Sequence, residues 1–224
     1  VVVAACGRLD FGVVGDGGGS PGDGKTPDDA KRVDGGSGVS GSGSGCLSPG
    51  IGDDFMETLP CSQWGEPVAD NSSLNVGSDL TITPEANVQS TGGCLRSSLA
   101  FGAAGVFIHI GRFPTEGDLQ LVISDTSTST SWGIELSNQQ EFVFLESDQT
   151  EQGILPFDPT LTWWRLRPNA GGNALYELSA DGETWTSHRT SVEAPPTTVG
   201  ATVEDIIDAA DPDPAIIDGI DICP

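Results

Sequence analysis

Three carboxylates fall within six residues at Glu146-Ser147-Asp148-Gln149-Thr150-Glu151. Paired carboxylates can cleave a glycosidic bond, one protonating the leaving oxygen while the other attacks the sugar or activates water. That use requires the three acids on one face of a rigid, bulged strand, with apolar residues between them anchoring the other face. The intervening residues are instead Ser147, Gln149 and Thr150, and Gln152-Gly153 follows. Such a composition predicts an exposed hairpin tip after a strand ending at Leu145.

A second group comes from the hairpin Trp163 to Ser179. If Trp164 and Leu166 point inward with Ala174, Tyr176 and Leu178, strand alternation projects Trp163, Arg165, Leu175 and Glu177 together on the opposite face. An outward Trp beside Arg and Glu can stack on a sugar ring and hydrogen-bond its hydroxyls, so Trp163, Arg165 and Glu177 are the candidate ligand-binding residues. The alternative is a Trp covered by the Arg165 stem or a neighbouring loop, with an Arg165–Glu177 cross-strand pair. In Ser179-Ala180-Asp181-Gly182-Glu183-Thr184-Trp185, Asp181-Gly182 reads as a tight turn and Trp185 as a core anchor.

The positioning elements are short, β-branched, alternating runs between turn clusters. Strands are predicted at Val106–Ile110, Leu119–Ile123, Trp132–Leu136 and Glu141–Leu145, and near Leu74–Ile82, Thr162–Arg167, Ala174–Ser179, Thr184–Arg189, Val199–Val203 and Ile216–Ile222. Helical periodicity appears only over Val203–Ala210, where Asp211-Pro212-Asp213-Pro214 would end it. The pattern predicts an all-β, two-sheet antiparallel sandwich over residues 46–224, large enough for one core. No segment approaches the 18 apolar residues of a membrane-spanning helix.

Residues 7–50 differ in kind, with 15 Gly and 6 Ser. Such a segment cannot bury enough apolar surface to offset its ordering entropy, so residues 7–45 are expected to form a disordered tether. Its expected root-mean-square span is roughly 35–40 Å. Gly15-Asp16-Gly17-Gly18-Gly19 lacks the flanking strand, helix and Lys-Ser/Thr pair of a phosphate loop.

Val3-Ala4-Ala5-Cys6, closing residues 1–6, resembles a bacterial lipobox. The resemblance implies cleavage before Cys6, acylation of Cys6, and an exported envelope protein held by lipid without a spanning helix. The absent basic region and short apolar run would make residues 1–6 a truncated signal peptide. Gly7 after the cysteine is similar to outer-membrane sorting. The four other cysteines suit an oxidising compartment. Of their three pairings, Cys61 with Cys94 and Cys46 with Cys223 are favoured, because a jelly roll commonly sets its first and last strands side by side. Without CxxC spacing and with only His109 and His188, zinc is disfavoured.

Asp53-Asp54-Phe55 with Trp64, Phe157-Asp158-Pro159 before Trp163-Trp164-Arg165-Leu166-Arg167, the Ser179–Trp185 hairpin, and Ile217-Asp218-Gly219-Ile220-Asp221-Ile222 together resemble the concanavalin A-like, laminin G-like sandwiches of secreted bacterial proteins. The resemblance covers Cys46–Pro224 and implies a jelly roll whose relatives include lectins, glycanases and adhesion modules. Residues 146–151 formally match the E-x-D-x-x-E strand of the laminarinase and lichenase glycanases, which would make Glu146 nucleophile, Asp148 its organising partner and Glu151 the acid/base. Ser179–Trp185 resembles the sialidase Asp box but is one residue short.

The net charge is −24, and residues 46–224 hold 27 acidic residues against five Arg and no Lys. This excludes nucleic acid and direct adsorption to anionic lipid as partners. Among Asp205, Asp208, Asp211, Asp213 and Asp218, the candidates for calcium are Asp208, Asp211 and Asp213; no other cofactor is implied. The expectation is a lipid-anchored, surface-displayed sandwich without catalysis that binds carbohydrate or matrix. A laminarinase-type glycanase is the enzyme alternative, and a purely structural envelope protein the third.

Overall fold

The computed structural model describes residues 51–53, 55, 59–128, 130–138, 140–146, 150–207 and 212–223. The chain divides into Val1–Gly38 and Val39–Pro224, and the described residues belong to the second unit. The expected lipidation at Cys6, the tether 7–45, Cys46, Asp148, Asp208 and Asp211 lie outside the described residues.

Fifteen strands form the fold among the described residues. They are β1 (Ile51–Asp53), β2 (Glu66–Asp70), β3 (Ser72–Val76), β4 (Leu80–Pro84), β5 (Ser90–Ala100), β6 (Gly105–Arg112), β7 (Asp118–Ser124) and β8 (Ser131–Ser137), followed by β9 (Glu141–Glu146), β10 (Thr150–Pro156), β11 (Trp163–Pro168), β12 (Ala174–Ser179), β13 (Thr186–Thr190), β14 (Thr198–Ile207) and β15 (Ala215–Cys223). All pairings among the described residues are antiparallel. One sheet of eight strands runs β13-β12-β11-β6-β15-β4-β3, with β1 also on β15. The other, of seven strands, runs β10-β9-β8-β7-β14-β5-β2. This is the predicted jelly-roll sandwich. Its first strand lies against its last, with Ile51 opposite Ile222.

Alternation sends one row of each strand into a single core. Leu119, Leu121 and Ile123 of β7, Trp132, Ile134 and Leu136 of β8, and Phe142 and Phe144 of β9 meet Trp164 and Leu166 of β11 and Tyr176 and Leu178 of β12. Each deeply buried side chain of this size contributes about 1.5–3 kcal/mol by leaving water. Cys61 and Cys94 are bonded to each other within that core, as predicted. The pairing of Cys46 with Cys223 falls outside the described side chains.

The structure corrects two sequence-based element assignments. Residues 203–207 continue β14 as a strand rather than opening a helix, because pairing with β5 and β7 on both sides satisfies their backbone. Leu74–Ile82 is a hairpin of β3 and β4 around Gly77-Ser78-Asp79 rather than one strand. The Gly92-Gly93 pair sits inside β5. A Cβ at Gly93 would collide with the Val203 carbonyl oxygen, so glycine permits the close approach of β14.

Candidate functional site

The carboxylate motif does not form a catalytic strand. Residues 146 and 151 belong to different arms of the β9–β10 hairpin. Thr150 stands opposite Glu146, whereas Glu151 stands opposite Leu145. Glu146 continues the inward row of Phe142 and Phe144 and is 4 % exposed, which corrects its expected place at a solvated tip. Its Oε1 accepts a hydrogen bond from the Glu193 backbone N–H at 2.7 Å, and its Oε2 accepts one from Arg189 Nη2 at 3.3 Å. Beside it the Tyr176 hydroxyl donates to the Leu145 carbonyl at 2.7 Å. Burial first, and then the Glu146 carboxylate, push the Tyr176 phenol upward. This network joins the two sheets at one end of the sandwich.

The second candidate group comes together on the outer face of the eight-stranded sheet, but its polar members are already engaged. Arg165 and Glu177 are 6 % and 3 % exposed. Glu177 Oε2 accepts from Arg165 Nε at 2.7 Å and from Arg167 Nε at 2.9 Å, and its Oε1 accepts from Arg167 Nη2 at 2.9 Å. Trp185 covers the Arg165 guanidinium, whose carbon lies 4.0 Å from the ring centroid. Trp185 is therefore a half-buried lid and not the predicted core anchor. Trp163 is partly buried, stacked on His109 with ring centroids 4.0 Å apart and packed against Gly182, where a Cβ would come within 2.9–3.2 Å of three ring carbons. Of the two readings of this hairpin, the geometry is that of the covered Trp with an Arg–Glu cross-strand pair.

The Ser179–Trp185 turn closes on itself. Asp181 Oδ1 accepts hydrogen bonds from the Glu183 and Thr184 backbone N–H groups and from the Ser179 hydroxyl. The two backbone donors and that hydroxyl hold its carboxyl down at about 2. Gly182 supplies the positive φ of the turn, at 71°.

The described members of the acidic group considered for calcium, Asp205, Asp213 and Asp218, each have a different setting. Asp205 lies in β14 facing the core, 1 % exposed. Asp218 lies beside His109, 3.3 Å from its Nδ1, and Asp213 accepts from the Thr115 hydroxyl. Among the described residues no group of three or more such side chains could hold a metal ion.

A different constellation lies at the centre of the seven-stranded sheet. Because Val203 and Asp205 face the core, Glu204 faces out. By the same alternation Gln120 of β7 and Glu135 of β8 face out, between the core residues that flank them. The register sets Glu204 opposite Gln120 and Gln120 opposite Glu135. Gln120 is 8 % exposed, and its Nε2 donates to Glu135 Oε2 at 2.6 Å. Desolvation raises the Glu204 carboxyl above the ordinary carboxylate range. One turn of alternation away, Asp118 accepts from Ser137 and Asn138, and burial nevertheless pushes its carboxyl up. On the other side the strip continues into Val143 of β9, opposite Glu135.

This row escaped the sequence motifs because its members come from three strands. The available signal was alternation alone: Leu119-Gln120-Leu121 and Ile134-Glu135-Leu136 each set one polar residue outward between apolar neighbours.

No family model matches the chain, and no curated sequence matches it. Solved structures do resemble it. The apo form of Crh5 transglycosylase aligns at 9 % identity over 80 % of this chain and 85 % of that one, with a TM-score of 0.49. Its complex with NAG covers the same shares at 9 % identity and a TM-score of 0.48. Rv0315, an immunostimulatory antigen and pseudo β-1,3-glucanase of Mycobacterium tuberculosis, aligns at 12 % identity over 80 % of this chain and 99 % of that one, with a TM-score of 0.49. The likeness is one of fold. Against the expectation of a sandwich without catalysis, the structures it resembles are a transglycosylase and a pseudo β-1,3-glucanase.

Proposed function

We propose that this chain is a glycan-active β-sandwich whose working surface is the outer face of the seven-stranded sheet. One observation carries the reading: Glu204 and Glu135 face the same side at the sheet centre, on either flank of Gln120. Their environments differ in the way acid/base pairs require. Burial favours the protonated form of Glu204, which suits a general acid that protonates a leaving glycosidic oxygen. Glu135, which accepts the Gln120 amide hydrogen bond at its Oε2, is assigned the role of base or nucleophile.

Display at a bacterial envelope belongs to the same proposal. Its support is the Val3-Ala4-Ala5-Cys6 resemblance and the Gly/Ser-rich stretch after it, through which an acylated Cys6 would hold the sandwich above a membrane.

The test is reducing-sugar release from soluble β-1,3- and β-1,4-glucans by the full chain. Glu204→Gln and Glu135→Gln are each expected to lower turnover by at least 100-fold while the melting temperature is retained, the loss that removing a general acid or base produces. Unchanged turnover in both variants, or none in the parent protein, overturns the assignment.

A further inference from the structure

We infer that this face selects glycans by charge: it takes amine-bearing chains ahead of neutral ones and rejects chains that carry uronate or sulfate. The inference rests on the functional reading just given and adds its substrate class.

Recognition of an anionic sugar calls for charged donors, above all the arginine fork that pairs with carboxylate or sulfate. Residues 46–224 hold five Arg and no Lys, and each Arg already donates to a group of this chain. Arg96 Nη1 donates to the Trp64 carbonyl at 2.6 Å and Arg112 Nε to the Pro214 carbonyl at 3.1 Å. Arg165 and Arg167 donate to Glu177, and Arg189 to Glu146. Arg96 is also the only basic residue on the seven strands of the sheet that carries the site.

Carboxylates have the opposite distribution. Ser137 stands opposite Asp118 and also opposite Glu141, so Asp118 and Glu141 share the outward face with Glu135 and Glu204. On the other flank Gly93 of β5 stands opposite Glu204, and Val68 of β2 opposite Gly93. Alternation along β2 then sets Glu66 and Asp70 on this face as well. Desolvation raises the Asp118 carboxyl, so its ionised form gains from a cation brought beside it. A sugar ammonium is such a cation, whereas a uronate or sulfate adds like charge to a face already negative. Neutral hydroxyl chains fall between the two.

The test uses three pentasaccharides of one β-1,4-linked backbone: cellopentaose, its C6-oxidised uronate form and the glucosamine pentamer. Each is titrated calorimetrically into the Glu204→Gln chain at mildly acidic pH, where the amines are protonated and the uronates ionised. Relative to cellopentaose, the glucosamine pentamer is expected to bind about tenfold tighter and the uronate about tenfold weaker, the sum of several exposed charge contacts that are each weak. Both gaps should shrink at high salt. In the same background, Asp118→Asn with Glu141→Gln should narrow both gaps. Glu85→Gln with Glu183→Gln, an equal change of charge beside the eight-stranded sheet, should leave them as they are. Equal affinity for the three, or tightest binding of the uronate, overturns the inference and leaves the functional reading standing. Gaps narrowed equally by the two double variants make the selection one of net charge and overturn its assignment to this face. No binding of any of the three also overturns the inference, and the functional reading falls with it only if the parent chain leaves β-glucans uncut.

Discussion

Asp205 shows at the scale of a single residue how the sandwich holds charge. It is 1 % exposed, and neither carboxylate oxygen has a hydrogen-bond partner among the described residues. Burial first, and the nearby Asp118 carboxylate second, push its carboxyl up to about 8. The unfolded chain would release this proton near 3.8, the folded one only near 8. Between these values the unfolded state binds fewer protons, so stability falls as pH rises, by up to about 1.4 kcal/mol per pH unit. Asp205→Asn removes the ionisation, and urea melts should show it gaining on the parent protein as pH goes from 4 to 8. A constant difference across that range would place Asp205 in a solvated setting. The contrast with Glu177 is instructive, because that buried carboxylate is answered by two arginines. The burial of Asp205 was not legible in the sequence, where it read as one member of an acidic cluster, whereas the Arg165–Glu177 pair was one of the two readings of its hairpin. Alternation gives the face of a strand but not what covers that face, and only the Trp185 lid and the Arg167 stem make Glu177 interior.

At the scale of elements, alternation was a dependable guide where strands are apolar on one face. The cores of β6, β7, β8 and β9 and the β11–β12 hairpin lie where the sequence pattern puts them, with Trp164, Leu166, Tyr176 and Leu178 all buried. It failed where two periods compete. Val203-Glu204-Asp205-Ile206-Ile207 fits a helical spacing as well as a strand, and the ladders from β5 and β7 decide for the strand. That misreading hid half of the candidate site, since Glu204 faces outward only once β14 extends through it. The carboxylate motif failed for the complementary reason: linear spacing ignores the turn that puts positions 146 and 151 on separate strands. Glu146 instead ties β9 to the segment after β13 through Arg189 and the Glu193 backbone. Glu146→Ala leaves the buried part of Arg189 without this partner and should cost about 3–5 kcal/mol in chemical denaturation, as breaking buried pairs does. Glucan turnover per folded molecule should be unchanged. Loss of turnover at unchanged stability would return Glu146 to the reaction.

At the scale of the whole molecule, the two sheets differ in what their outer faces present. The eight-stranded sheet carries Arg112, Arg165, Arg167 and Arg189 on its strands, and on its outer face Trp185 packs over Arg165 and Trp163 over His109. Arg96, on the seven-stranded sheet, donates to the Trp64 carbonyl at 2.6 Å. The central outer strip of that sheet presents Glu204, Gln120, Glu135 and Asp118, in a chain of net charge −24. The account therefore places glycan on the face of β14, β7 and β8 and not on the aromatic face first indicated by the sequence. The most direct test is chemical-shift mapping of the Glu204→Gln chain, chosen to slow turnover, titrated with laminaripentaose. The account predicts perturbations centred on Gln120, Glu135 and Thr202, with the Trp163 and Trp185 indole signals unmoved. Perturbation centred on Trp163, Phe107 and His109, or no perturbation at millimolar oligosaccharide, would contradict it.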